Sequence, residues 1–255
     1  MKMPGERTKI IEIIGAPGVG KSTVYKALIN SYNQYSDWIY PDADENRKKA
    51  GWIGFRSYSS LIYHRLFRKE QMSIYQVELG LKFVRQHKEL ADFIWRNISE
   101  NETGIQDVGQ RFRSAYFAFK HFCRYQKIME SYNDKPCIIE EGLLQKSFLI
   151  RDNEKEMLEA VHDYLYLVPL PKAIIYLNTP DAKVILERLK SRKKVLPNHK
   201  DKNDKFLLEN IERWQSLFND IAKSLSEFNV PVYNVDGSKT VKENVQLINH
   251  LLKNN

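Results

Sequence analysis

Residues 8–23 read TKIIEIIGAPGVGKST, and the order of residue types in this stretch decides the expected fold. KIIEII, residues 9–14, is rich in β-branched side chains, which favour a pleated backbone and suggest a buried strand. Gly15 closes the run. From Gly15 to Ser22 the chain satisfies G-x-x-x-x-G-K-[ST], and a helical pattern begins near Lys21. Glycines permit backbone angles that turn successive N–H groups inward as an anion nest, and the following helix adds its positive N-terminal end. An ordinary glycine turn can also join a strand to a helix. Here the Lys-Ser pair stands in the strand–loop–helix context that phosphate binding requires. The expected nucleotide contacts are Gly15, Ala16, Pro17, Gly18, Val19, Gly20, Lys21, Ser22 and Thr23. Lys21 would reach the β- and γ-phosphates and the Ser22 hydroxyl would take Mg²⁺, so a nucleoside triphosphate and Mg²⁺ are the expected ligands of this motif.

Outward from this stretch, short β-branched runs alternate with longer helical patterns. The runs are DWIYP (37–41), PCIIE (136–140), AIIYLN (173–178) and VPVYNV (230–235). Such alternation implies an α/β layer fold, here a three-layer sandwich with a mainly parallel, five-stranded sheet. Residues 42–134 contain no convincing strand, but their apolar residues recur at three- and four-residue steps, so they are expected to form a helical insertion. Thr179, followed by Pro180, is the expected N-cap of the helix DAKVILERLKSRKK. No Gly/Ser linker divides residues 1–255, which are therefore read as a single domain.

Composition narrows the class. The formal charge is +8, from 40 Lys/Arg against 32 Asp/Glu, which favours phosphorylated or polyanionic partners. Two cysteines, Cys123 and Cys137, form neither a C-x-x-C pair nor a zinc-spaced cluster, and reduced, buried thiols are expected. MKMPGERTK is too polar for a secretory leader, and no apolar run approaches the roughly 18 residues of a membrane span. A cytoplasmic protein without a membrane partner is the expectation.

A metal-side carboxylate should stand on a strand neighbouring the phosphate loop. Glu140 ends the apolar run CII, and Glu141 follows as general base or solvated cap. No Asn-Lys-x-Asp guanine reader occurs. Instead AIIYLNTPDAKVILERLKSRKK resembles the nucleoside and nucleotide kinase group of P-loop proteins, in particular thymidylate and deoxynucleoside kinases. The resemblance implies a P-loop NTPase fold with a basic lid over 188–205, in which Arg188 and Arg192 match the lid arginines. An arginine closed over the transferring phosphoryl stabilises the charge gathering on its equatorial oxygens. The resemblance also implies that Asp236, Gly237 and Ser238 form the turn beside the adenine ring. It departs from those kinases at one place. They follow the strand acid with Arg, whereas this chain has Glu140-Glu141-Gly142.

On the acceptor side, Asp42 and Asp44 should lie at the carboxyl edge of the sheet, where open α/β sheets place ligands. Asp42 matches the location of the proton-accepting carboxylate of deoxynucleoside kinases, and a turn aspartate would look the same. Arg56, Gln110, Arg111 and Arg113 are candidates for holding an anionic or base-like acceptor. Trp52, Phe55, Tyr58, Tyr116, Phe117 and Phe119 could stack on a ring or fill a core. The expected function is an ATP- and Mg²⁺-dependent phosphotransferase acting on a small molecule, a nucleoside or nucleotide first. The alternatives are an NTP-hydrolysing nucleic-acid-binding protein and a polynucleotide-end kinase, and the chain leaves a homodimer open.

Overall fold

The core strand is β1 (Ile10–Ile14), buried at all five positions. The computed structural model describes residues 7–32, 37–43, 74–100, 108–131, 134–149, 154–191 and 203–253. Within them, β1 pairs in parallel with β2 (Cys137–Ile139) on one side and with β3 (Ala173–Asn178) on the other. β3 pairs in parallel with β4 (Val232–Asp236), giving the order β2-β1-β3-β4. Strands buried on both faces read as continuous apolar runs, which is why IIEII, CII and AIIYLN lack alternation.

The described sheet therefore has four strands, not the expected five. DWIYP contributes only one parallel bridge, Ile39 to Cys137, at the outer edge of β2. Pro41 lacks the N–H that would extend the ladder, and the Ala43 amide turns back to the Tyr40 carbonyl at 3.0 Å. Helices cover both faces. One face, through Ile11, Ile13, Ile138, Ile175 and Leu177, packs on α1 (Lys21–Asn30), on the helix that follows β3 and on the C-terminal helix. The other, through Ile10, Ile14, Ile139, Ile174 and Tyr176, packs on α2 (Ile74–Gln86), α3 (Lys88–Glu100) and α4 (Val108–Glu130). α5 (Glu154–Leu167) and the later half of the helix that precedes β4 also pack in that layer. The described part of residues 42–134 is thus helical beyond Ala43.

α6 (Ala182–Lys190) follows β3, but its cap differs from expectation: Asp181, not Thr179, accepts from the Lys183 amide at 2.8 Å. The chain at Thr179 is still leaving β3, its carbonyl held by Gln215 Nε2 at 2.6 Å. α7 (Asp204–Glu227) and α8 (Val241–Lys253) complete the described helices. Both cysteines are buried and reduced. Among the described residues, no helix is long and apolar enough to cross a membrane.

Candidate active site

The turn from β1 into α1 takes its shape from glycines. Gly15, Gly18 and Gly20 have φ of 148°, 94° and 112°, a region that side chains strongly disfavour. At Gly15 a Cβ would also lie 2.1 Å from the Leu177 carbonyl oxygen, so the loop presses directly on β3. Gly20 caps α1 without any side-chain bond, and the first helical turn holds no acid. The positive end of α1 is thereby left for an anion. Lys21, 7% exposed, folds back so that Nζ donates to the carbonyls of Gly15 at 2.6 Å and Ala16 at 3.1 Å. Ser22 and Thr23 face outward on the first turn.

Other elements converge on this loop. The Ser22 hydroxyl hydrogen-bonds the Glu140 carboxylate just beyond β2. Arg188 Nη1 donates to the Val19 carbonyl at 2.9 Å, which brings α6 onto the loop's opposite flank. After β4, a Cβ on Gly237 would stand 3.0 Å from Val19 Cγ2, so the 236–238 turn rests on the same residue. That turn is closed by Asp236 Oδ1, which accepts from Ser238 N at 2.8 Å and Ser238 Oγ at 2.6 Å. These bonds, with weaker help from Lys239 and Arg188, hold the Asp236 carboxyl below its usual range. The residues expected from sequence at the donor side therefore come together, from the loop, β2, α6 and β4. Arg192 lies outside the described residues.

A second group of side chains lies beside the first. Tyr25, one turn along α1 from Ser22, donates to Asp42 Oδ2 at 2.8 Å, with the Ile138 carbonyl also in reach at 3.2 Å. Burial, then the Asp42 charge, pushes the Tyr25 phenol far up, so it remains a donor. Arg124, from α4, contacts both Asp42 oxygens and the carbonyl of Glu141. Glu141 in turn pairs with Lys146 Nζ at 2.9 Å. Burial alone would raise the Glu141 carboxyl, but Lys146, with help from Lys21, more than offsets this and holds it below the usual range. Behind them, burial and the charges of Lys146 and Arg124 push His121 down to about 3, so its imidazole is neutral at physiological pH. Glu141 is thus one half of an ion pair, with its side chain still partly open to solvent.

The remaining candidates separate. Arg111 donates to the Ser99 carbonyl of α3 at 3.4 Å, and Arg113 is exposed. Gln110 lies in α4, its side chain outside the described residues, as are Asp44, Trp52, Arg56, Phe55 and Tyr58. Phe119 packs on the core, while Tyr116 and Phe117 meet edge to face at 5.6 Å, with Phe117 42% exposed. Core packing accounts for Phe119.

Sequence reasoning passed over Arg124, Lys146, Tyr25, Glu12 and Gln145. Arg124 and Lys146 resemble solvated helix or loop cations, and only the fold shows the carboxylates they meet. Glu12 did carry a signal: an acid at the centre of IIEII must find hydrogen bonds wherever that strand is buried.

The donor set also fits Mg²⁺. No group of three or more His, Cys, Asp or Glu among the described residues could hold a metal by itself. Mg²⁺ is ordinarily bound through one or two protein oxygens, with phosphates and water completing the octahedron, and Ser22 with Glu140 supplies such a pair. Compared with known proteins, the chain matches no protein-family model and no curated sequence.

Proposed function

We propose that the protein is an ATP- and Mg²⁺-dependent phosphotransferase that moves the γ-phosphoryl group to a hydroxyl of a small molecule, a nucleoside-like compound first. The observation that carries the reading is the bond between Ser22 and Glu140, 118 residues apart, at the mouth of a glycine loop whose helix end is uncapped. A metal-side hydroxyl and carboxylate at an anion nest are the two protein parts that phosphoryl transfer needs around the metal.

Roles follow from the geometry. The loop amides and Lys21 would bind the phosphates, Lys21 exchanging its two carbonyl partners for phosphate oxygens. Ser22 and Glu140 would hold Mg²⁺, which neutralises charge on the β- and γ-phosphates. Arg188, already bonded to the loop at Val19, would stabilise the transferred group, with Arg192 as the second lid cation. The acceptor oxygen forms a bond to the γ-phosphorus as the bond to the β-phosphate oxygen breaks. Its proton passes to Asp42, whose orientation Arg124 and Tyr25 fix.

Charge pairing favours a hydroxyl over a phosphate as acceptor. Arg124 is engaged by Asp42 and Lys146 by Glu141, so these four side chains carry no net charge. An acceptor phosphate would need cations that are not already neutralised, and it would need no base.

The test is a panel of nucleosides, nucleoside monophosphates, sugars and oligonucleotides incubated with γ-labelled ATP, read by product mass. A phosphorylated hydroxyl compound, lost in Lys21→Ala, is the expected result. Label on an oligonucleotide end, or hydrolysis with no phosphorylated product, would replace this reading with a nucleic-acid one. Undiminished turnover in Lys21→Ala would end it.

A further inference from the structure

Glu12 stands at the centre of β1 and is 0% exposed, between the equally buried Ile10 and Ile14 of the same face. A carboxylate there is costly unless its lone pairs are satisfied. Oε1 accepts from the amides of Gly142 at 2.9 Å and Gln145 at 2.6 Å. Oε2 accepts from the Leu144 amide at 3.1 Å and the Tyr125 hydroxyl at 3.0 Å. The turn that leaves Glu140 and Glu141 is therefore wrapped around a side chain of the neighbouring strand.

From that turn the Gln145 side chain reaches back to the glycine loop. Its Oε1 accepts from Gly15 N at 3.0 Å and its Nε2 donates to the Gly15 carbonyl at 3.1 Å, both buried. The amide thus grips both polar groups of one residue, the residue whose φ starts the loop. The same Gly15 carbonyl also accepts Lys21 Nζ. A carbonyl oxygen has two lone pairs, so it accommodates both donors at once. When Lys21 leaves for a phosphate, Gln145 keeps the carbonyl satisfied and the loop in place. Without Gln145, that departure strips the buried carbonyl of both donors, and the Gly15 amide loses its acceptor as well.

We infer that Gln145 is a positioning residue of the nucleotide site: it holds the Gly15 peptide so that Lys21 can exchange that carbonyl for phosphate, with Glu12 as its buried anchor. The inference rests on the nucleotide-binding reading above, and it assigns Gln145 a role in affinity beyond its role in packing.

The experiment is titration of the full chain with a fluorescent ADP analogue and Mg²⁺, alongside thermal melting, for the wild type, Gln145→Met and Gln145→Glu. Gln145→Met keeps the volume and loses both bonds, so nucleotide should bind about tenfold more weakly. Gln145→Glu separates positioning from packing. Its ionised carboxylate can accept from Gly15 N but repels the Gly15 carbonyl, whereas its protonated form can donate to it. Its affinity relative to the wild type should therefore recover as pH falls from about 8 to about 5.5. If Gln145→Met does not fold, the titration of Gln145→Glu decides alone. Affinity within about twofold of the wild type in the folded variants at every pH overturns the role of Gln145. A wild-type protein that binds no nucleotide overturns this inference together with the function beneath it.

Discussion

Arg124 holds Asp42 through a single nitrogen, Nη2, which lies 3.0 Å from Oδ1 and 2.9 Å from Oδ2, while Nη1 donates to the Glu141 carbonyl at 3.1 Å. The guanidinium therefore sits against the backbone of position 141. The cation reaches that backbone from α4, while the side chain of Glu141 pairs with Lys146.

If Arg124 orients Asp42 for proton transfer, Arg124→Met should lower kcat by about ten- to a hundredfold and leave the KM for ATP unchanged. Stability should move by less than about 1 kcal/mol, because both partners are partly exposed. Arg124→Met should then add little to Asp42→Asn in a double-mutant cycle. Steady-state kinetics of the four proteins test this, and additive losses would separate the two residues.

Glu140→Gln keeps the shape and the hydrogen bond to Ser22 but removes a charge from the metal side. The Mg²⁺ concentration for half-maximal rate should rise about tenfold, with a smaller change at saturating metal. An unchanged Mg²⁺ titration would remove Glu140 from the metal site.

Burial raises the Glu12 carboxyl above its ordinary value of 4.5, opposed by bonds from Gln145, Leu144, Tyr125 and Gly142. The folded chain then binds this proton more firmly than the unfolded chain. The stability linked to Glu12 is complete below 4.5 and is lost as pH rises through the folded value. Glu12→Gln does not titrate and misplaces an amide N–H against donors, so it should be less stable by about 1–3 kcal/mol near the ordinary value. That gap should narrow as pH increases. Urea unfolding of both proteins across the pH range measures it, and a gap that widens with pH would reverse the sign assigned to Glu12.

Gly142 has no room for a methyl group: a Cβ there would lie 2.5 Å from Glu12 Oε2 and 2.7 Å from the Tyr125 hydroxyl. Gly142→Ala should destabilise the fold by about 1–3 kcal/mol through crowding alone. Glu12→Ala vacates that space but takes the acceptor from four buried donors, so the double variant should lose less stability than the sum of the two single losses while remaining less stable than Gly142→Ala.

The grouping of the glycine loop, Glu140 and Arg188 was legible because each part is local. Gly15 to Ser22, Glu140 after CII, and Arg188 after AIIYLN each carry their meaning within a few residues. The fifth strand is present among the described residues only as one parallel bridge, because DWIYP has strand composition but Pro41 cannot extend the ladder. The Arg124–Asp42 and Lys146–Glu141 pairs were not legible, because charge complementarity between distant segments leaves no periodicity to detect. Glu12 was legible only as an anomaly, a charge where the burial pattern allows none, with its partners supplied by the turn after β2.

The rest of the turn at Gly237 upon Val19 has a consequence for biosynthesis. The glycine loop is translated long before β4, and β1 itself waits for both β2 and β3 to flank it. During elongation the glycine loop therefore stays uncovered on its Val19 flank until the last strand has docked. Ribosome-bound chains stalled before that strand should carry the loop without its seat.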